Sequence, residues 1–585
     1  MHGIRWLACL LGVSLASVFS GVRGADLPPE PVYLNSQMPW QPVVLDAQGR
    51  VLAWYHPDKN LGYDHFLRLD WDFLEHKVPV DTTTHERVFL TAAVFSDTAL
   101  QGEYWQHNPA STFAHQMDAL LGWYPYSGDR EAIEVLRTML DYQLAHGTTP
   151  ADWEWSQVPF STACLHDKDY GHCLAGMPRN YYGALETDKI GELGLSYVQF
   201  YELTGERKYL DAGIHCANAL AKHVRPGDAY HTPWPFRLNA HDGVTVNGEE
   251  YGGMIVAPVR LFEELVRIGA GDTGNYQKAR DLAWSWVLNN QLNKTSAAWD
   301  RWSGYYEDVP KDTANVNDMS SLMTAYYMLT KDNPASVDPD WDIHVGHLID
   351  RSRVLLGRGP FFGAWAIDEQ LRPDGARIDG GEPGGAASVD LEFRPRNSVA
   401  LLGTDNRGCC SRAGLVCRTS QWAAINAMYF ERTHDGQARE DAFRSLNYAT
   451  YFAESNGKIH CCGQATENPL WFEDGYGDAG RNFIWAMGAI PEFAPIGENH
   501  LLRSTSVVQK VSYSTGGVDY QTFDKSGTET LRLTFNPGRL MAGGVALRST
   551  DELKEDSYSV RKLAGGDYVV RVRHSHANQV SIHKS

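Results

Sequence analysis

A hairpin of two amphipathic helices, written repeatedly along the chain, most constrains what this sequence can fold into. Ser127-Gly128 precedes DREAIEVLRTMLDYQLAHG, and Thr204-Gly205 separates ELGLSYVQFYEL from ERKYLDAGIHCANALAKHV. Thr273-Gly274 separates VRLFEELVRIGA from NYQKARDLAWSWVLNNQ, and Asp435-Gly436 separates QWAAINAMYFERTH from QAREDAFRSLNYATYFAES. A looser fifth copy joins SSLMTAYYMLT to DIHVGHLIDRSRVLLG through a proline-containing turn. Apolar residues recur at helical spacing in each copy. Leu203, Tyr209, Leu210, Ile214, Ala217 and Leu220 trace one stripe across a turn and the helix after it. Glycine at the end of the first helix permits a left-handed C-cap, and the charged residues after it suit the start of the next. The first three turns lie roughly 70 residues apart, too far for short helical repeats, which leaves connections of about 30 residues or more. Connections that long in a compact domain are usually functional. With room for a sixth hairpin near residues 60–125, the pattern predicts a mainly α protein, a closed ring of about six hairpins over residues 61–498.

The two ends of the chain differ in texture from this middle. After His2 and Arg5 the sequence is apolar from Trp6 to Phe19, and Val22-Arg23-Gly24 offers small residues at cleavage spacing. That pattern is a signal peptide over residues 1–24, too short in its apolar core to span a bilayer. It predicts a secreted or periplasmic protein whose mature start, residues 25–60, is extended, as Asp26-Leu27-Pro28-Pro29 implies. No later segment is apolar enough to cross a membrane. From residue 499 onward, Leu501–Tyr513, Thr530–Phe535 and Tyr568–Arg573 are rich in Val, Thr and Tyr, with Gly and Asn-Pro turns between. Residues 499–585 therefore read as a small β-sandwich-like domain, more a structural cover than a second binding module.

Charge narrows the partners. Against 72 Asp and Glu stand 52 Lys and Arg, a net −20 spread along the chain. Nucleic-acid binding, which needs a basic face to neutralise phosphates, is disfavoured. Aromatic residues make up 11% of the chain, and many lie in polar connections outside apolar periodicity, as a sugar-stacking surface requires. Of nine cysteines, Cys9 leaves with the signal peptide. The even remainder, Cys164, Cys173, Cys216, Cys409, Cys410, Cys417, Cys461 and Cys462, predicts disulfides in an exported protein. Cys164 and Cys173, flanking a short polar loop, make the simplest pair; the other connections are open.

Hairpins with turns of the T-G-E-R-K-Y-L type and long aromatic-acidic connections resemble the (α/α)6 six-hairpin glycosidases and related polysaccharide lyases, over roughly residues 60–460. The resemblance is one of architecture and loop style. It implies an α-helical toroid, a carbohydrate substrate and no cofactor. Some arabinofuranosidases of this toroid type are similar in using a cysteine near zinc, which draws attention to Cys409, Cys410, Cys417, His460, Cys461 and Cys462. The sequence lacks the C-x-x-C spacing of ordinary zinc sites, so disulfides are the favoured reading and no metal is expected.

Glycosidic hydrolysis needs two carboxyl groups across the bond, one protonated and one ionised. Acids beside aromatics in the connections are the candidates. In Asn180–Lys189, Tyr182 precedes Glu186 and Asp188, which point apart if both are helical, since two residues span about 200°; the alternative is a first-turn acid that complements the helix dipole. Asp300, Trp302 and Tyr305 share a second block with Glu307, Asp308 and Asp318. Asp318 also suits the N-cap of the helix that follows. Trp153 and Trp155 alternate with Asp152 and Glu154, and in an extended stretch both indoles face one side. Trp234 and Arg237 precede Glu249, Glu250 and Tyr251, offering a stacking wall and a cation.

Three functions compete. Hydrolysis assigns Asp188 and Asp318 as acid and base, with Glu186 and Asp300 behind them. A lyase acting on uronic-acid polymers needs a base and a group to neutralise the substrate carboxylate, for which His231, Arg237, His241 and Tyr251 are candidates. A glycan-binding protein needs neither. There is no P-loop, no G-x-S-x-G elbow and no H-E-x-x-H.

Overall fold

The computed structural model describes residues 41, 44–48, 50–96, 99–103, 109–162, 168–171, 183–245, 250, 252–296, 318–356, 416–460 and 470–584. Among the described residues, and apart from the single turn Val88–Thr91, twelve helices build the larger part: α1 Gly62–Asp72, α2 Pro109–Ser127, α3 Glu131–His146, α4 Thr187–Thr204, α5 Arg207–His223, α6 Val256–Ile268, α7 Thr273–Trp286, α8 Asp318–Leu329, α9 Trp341–Leu356, α10 Val416–Thr433, α11 Gly436–Ala449 and α12 Asp478–Ala489. The even-numbered helices touch in sequence order, α2 to α4 and on to α12, and α12 returns to α2. Each carries an odd-numbered helix on its outer side. The ring therefore closes as a toroid of six hairpins, as the repeated pattern predicts.

The sixth hairpin is not where the sequence placed it. Residues 60–125 supply α1 and α2, which belong to different hairpins. α2 pairs with α3 across Gly128, whereas α1 is the outer partner of α12, some 400 residues further on. No local turn announces a pairing between the two ends of a chain; it forms because both apolar faces need cover. Tyr63 and Phe66 of α1 meet Phe483 of α12 at ring separations of 5.4 and 4.4 Å.

Two of the four hairpin turns also differ from expectation. Gly128 (φ 77°) and Gly205 (φ 79°) are left-handed, as a C-cap requires. Thr273 and Gly274, however, form the first turn of α7, capped by the side chain of Asp272, and the left-handed C-cap of α6 is Gly269. Gly436 likewise starts α11; the left-handed residue before it is His434.

Connections from inner to outer helices are short, while those from one hairpin to the next are long and all arrive at the N-terminal ends of inner helices. In one of them the short strand β1 (Ala184–Glu186) pairs antiparallel with β2 (Arg237–Asn239).

Ten further strands follow: β3 His500–Ser504, β4 Val508–Ser514, β5 Gly517–Thr522, β6 Gly527–Leu533, β7 Pro537–Ala542, β8 Val545–Ala546, β9 Arg548–Ser549, β10 Ser557–Lys562, β11 Tyr568–His574 and β12 Gln579–Lys584. They form two five-stranded sheets, ordered β8-β7-β12-β5-β4 and β9-β10-β11-β6-β3. Alternating side chains of both sheets, among them Leu531 and Val570 of one and Val518 and Ile582 of the other, share one apolar core, so the unit is a sandwich. The segment Leu501–Tyr513, read as one stretch in the sequence, is two strands, one in each sheet.

The sandwich sits on the C-terminal ends of the inner helices. Tyr126 of α2 stacks on His500 at 3.9 Å. Gln509 Nε2 donates to the carbonyl of Glu202 at the end of α4. Arg503 donates through both terminal nitrogens to Glu431 of α10, each at 2.6 Å. Among the described residues no helix is long and apolar enough to cross a membrane.

Candidate active site at the N-terminal rim of the ring

Inside the ring, at the N-terminal ends of α2, α4, α10 and α12, charged side chains replace the apolar core. Asp188, Lys189 and Glu192 come from the first turns of α4, His115 from α2, Arg418 from α10, and Asp478 and Arg481 from α12, all buried. Glu473 enters from the segment just before α12. That segment approaches closely because Gly477 lies against the backbone of Gln116, where a Cβ would stand 2.6 Å from the Gln116 nitrogen. Glu473 there accepts a hydrogen bond from Ser111 Oγ at 2.5 Å.

The network has two centres. Lys189 Nζ is 3.1 Å from Asp188 Oδ2 and 3.4 Å from Glu192 Oε2. Both of these carboxylate oxygens are buried and accept no aligned hydrogen bond, so the ammonium is near each without saturating either. His115 stands between the centres, with Nε2 3.5 Å from Glu192 and Nδ1 3.3 Å from Glu473. Asp478 is held by Arg481 and, at 3.6 Å, by Arg418. Below them Arg481 reaches Asp118 at 3.1 Å, and Arg260 approaches the other oxygen of Asp118 at 3.4 Å.

The carboxyls ionise in opposite directions. Burial pushes Asp188 up to about 7; Lys189 offsets part of this and the nearby charge of Glu192 adds to it. For Glu192, burial is outweighed by Lys189 and His115, which hold it well below the usual carboxylate range. Asp478 is also held low, because Arg481, His115 and Arg418 outweigh burial. Two carboxyl groups whose surroundings drive them apart are the arrangement that acid–base chemistry at neutral pH requires.

Of the candidate site residues that are described, Asp188 alone enters this network. Glu186 and Arg237, on the paired strands β1 and β2, form a fully buried ion pair at 2.7 Å, and the two are occupied with each other. Glu186 is extended backbone rather than helix, so the helical rotation between it and Asp188 does not apply. The Asp152–Trp155 stretch turns instead of extending. Trp155 is buried and stacks on His223 at 4.2 Å, Glu154 pairs with Lys222, and Trp153 is half-buried, edge-on to Phe160 and His241. Trp234 is a core residue whose indole nitrogen donates to the Leu220 carbonyl. Glu250 pairs with Arg225 at 2.6 Å. His231 is exposed beside Asp228 and His241 is exposed, whereas Arg237 is buried. Asp318 begins α8. Asp300, Tyr182, Tyr251, Trp302 and Tyr305 lie outside the described residues.

Cys216 is a buried thiol facing α4, so the eight cysteines after Cys9 do not all pair; burial pushes it up to about 12. Cys417 is buried in the first turn of α10, and His460 bonds Glu454 at 2.6 Å. The other six cysteines lie outside the described residues.

Glu192, His115, Asp478 and Glu473 were not singled out in the sequence. Their mark is faint but present: D-K-I-G-E places two acids four apart on one helix face, and PASTFAHQMDAL carries a lone histidine and a lone acid through an otherwise small and apolar helix.

The closed ring of six inner and six outer helices makes this chain an (α/α)6 toroid of six hairpins. No protein-family model matches the sequence, and no curated protein matches it. Solved structures to which it is similar include a sugar epimerase from a ruminal bacterium, at 8% identity and TM-score 0.47, covering 73% of this chain and 99% of that one. Another is the cellobiose 2-epimerase of Bacillus thermoamylovorans, at 10% identity and TM-score 0.45, over 73% and 99%. A third is an unsaturated glucuronyl hydrolase specific for heparin, at 11% identity and TM-score 0.42, over 74% and 97%.

Proposed function

We propose that this protein is an exported carbohydrate-active enzyme, a glycoside hydrolase in which Asp188 is the general acid. The observation that carries the reading is the opposite ionisation of Asp188 and Glu192 beside one lysine. At neutral pH Asp188 holds a proton that it can give to a leaving oxygen, and Glu192 is an ionised acceptor one helical turn away. Two further features support it. The long connections rich in tryptophan, tyrosine and acids all lead into the rim that carries this pair, and the N-terminal segment reads as an export signal.

The test is product analysis on a panel of neutral and uronic-acid polysaccharides. Hydrolysis gives new reducing ends with no change in ultraviolet absorbance. An absorbance rise from an unsaturated product on the uronates would overturn hydrolysis in favour of elimination, and turnover of no glycan at all would leave a binding protein.

A further inference from the structure

At the opposite end of the ring, between the C-terminal ends of the inner helices and the sandwich, lies a cavity of about 490 Å³. The pair Asp118 and Arg260 lines it and separates it from the rim network above. Its sandwich-side wall carries more guanidinium than carboxylate. Glu431 is already taken by both terminal nitrogens of Arg503, yet Arg571 Nη2 also lies 3.8 Å from it. Arg573, two residues further along β11, lines the same cavity and pairs with no carboxylate among the described residues. The alternation of the strand puts Arg571 and Arg573 on one face, exposed, with Val570 and Val572 buried on the other. The part of its side chain that is buried and the neighbouring Arg503 lower Arg571 from its ordinary value, against Glu431 and Asp332, which raise it.

Of the far-wall carboxylates, Asp332 bears on Arg571, while the others are engaged by cations of their own wall. Glu202 and Glu264, which line it, are both engaged by Arg267. Glu263 is engaged by Lys331 and Arg280, both at 2.5 Å.

We propose that this cavity binds a small anionic ligand of monosaccharide size, its carboxylate, sulfate or phosphate oxygens held by Arg571 and Arg573. Guanidinium groups present planar forks that match such oxyanions, and a cavity of this volume falls within the range of small-molecule sites. The ligand would neutralise the excess charge where ring and sandwich meet, so its binding also stabilises their contact.

Isothermal titration calorimetry at constant ionic strength, with sodium chloride as the reference, tests this on the full chain using sulfate, phosphate and glucuronate. The expected result is one site for at least one of the three, weakened at least tenfold in Arg571→Gln with Arg573→Gln and unchanged in Asp188→Asn. Both arginines are exposed, and unchanged circular dichroism checks that the double variant folds. Binding of sulfate or phosphate identifies an inorganic oxyanion site; binding of glucuronate alone identifies an acidic sugar. No binding by the wild type, or binding that survives in the double variant, overturns the proposal. Loss in Asp188→Asn alone would put the anion at the rim and overturn it equally.

Discussion

Asp188 and Glu192 lie one turn apart on the same face of α4, within 3.1 and 3.4 Å of the same lysine nitrogen, yet their proton affinities diverge. The difference is in what else each one meets. Glu192 has His115 and the field of Arg481 in addition to Lys189, and these outweigh its burial. Among the described residues Asp188 has Lys189 alone, against burial and two neighbouring acids. A single cation is not enough to ionise a carboxyl so deeply desolvated.

If Asp188 donates the proton, Asp188→Asn loses that step while keeping the side chain's shape. Turnover should fall by about 10²–10⁴, with circular dichroism unchanged. A variant that retained near wild-type turnover on the same glycan would remove Asp188 from the chemistry.

The pH dependence has a definite sign. Asp188 is competent while protonated, so kcat/KM should decline as pH rises through about 7. Lys189 favours the charged form, so Lys189→Met should move this alkaline limb to higher pH. A limb that stays in place, or moves down, would show that another group sets it.

The same raised carboxyl costs stability. In the unfolded chain an aspartate ionises near 3.9, whereas in the fold Asp188 does so near 7. The unfolded state therefore releases its proton first, and the penalty grows as pH rises from about 4 to about 7 and is complete above that. Asp188→Asn should melt higher than wild type at pH 8, with the difference shrinking towards pH 4. Melting curves across that range decide it.

Glu186 is expected to matter for folding rather than chemistry. Its partner Arg237 is fully buried, and Glu186→Gln breaks that buried ion pair by removing one of its charges, a loss of about 3–5 kcal/mol. Chemical denaturation should show this, while the kcat of the folded fraction is retained.

Two glycines in similar sequence settings should respond in opposite ways. Gly205→Ala forces a left-handed backbone on an L-residue and should cost about 1–2 kcal/mol. Gly274 is exposed within the first turn of α7, its nearest neighbour 3.8 Å from a built Cβ, and Gly274→Ala should stabilise by about 0.4–1 kcal/mol. Denaturation midpoints of the two variants test the assignment of the turns directly.

The periodic record of the sequence held the hairpins. Apolar spacing and turn glycines are local properties, so α4 with α5 and α10 with α11 could be read directly, as could the change to strands near residue 500. The pairing of α1 with α12 could not, because it depends on two faces meeting across most of the chain. The site divided along the same line. Asp188 was visible because it begins a helix beside an aromatic, acidic connection. Glu192 lies one turn along the same helix, but His115, Glu473 and Asp478 come from other segments that only closure of the ring brings to it. Nor does the sequence say whether an acid is protonated: Glu186, Asp188 and Glu192 fall within seven residues, and burial and the neighbours supplied by other helices decide that one is locked in an ion pair, one holds a proton and one is ionised. The sequence by itself determined a helical-hairpin protein with a β-rich end; the tertiary structure decided which charges share a low-dielectric interior, where a few ångströms set the protonation of each.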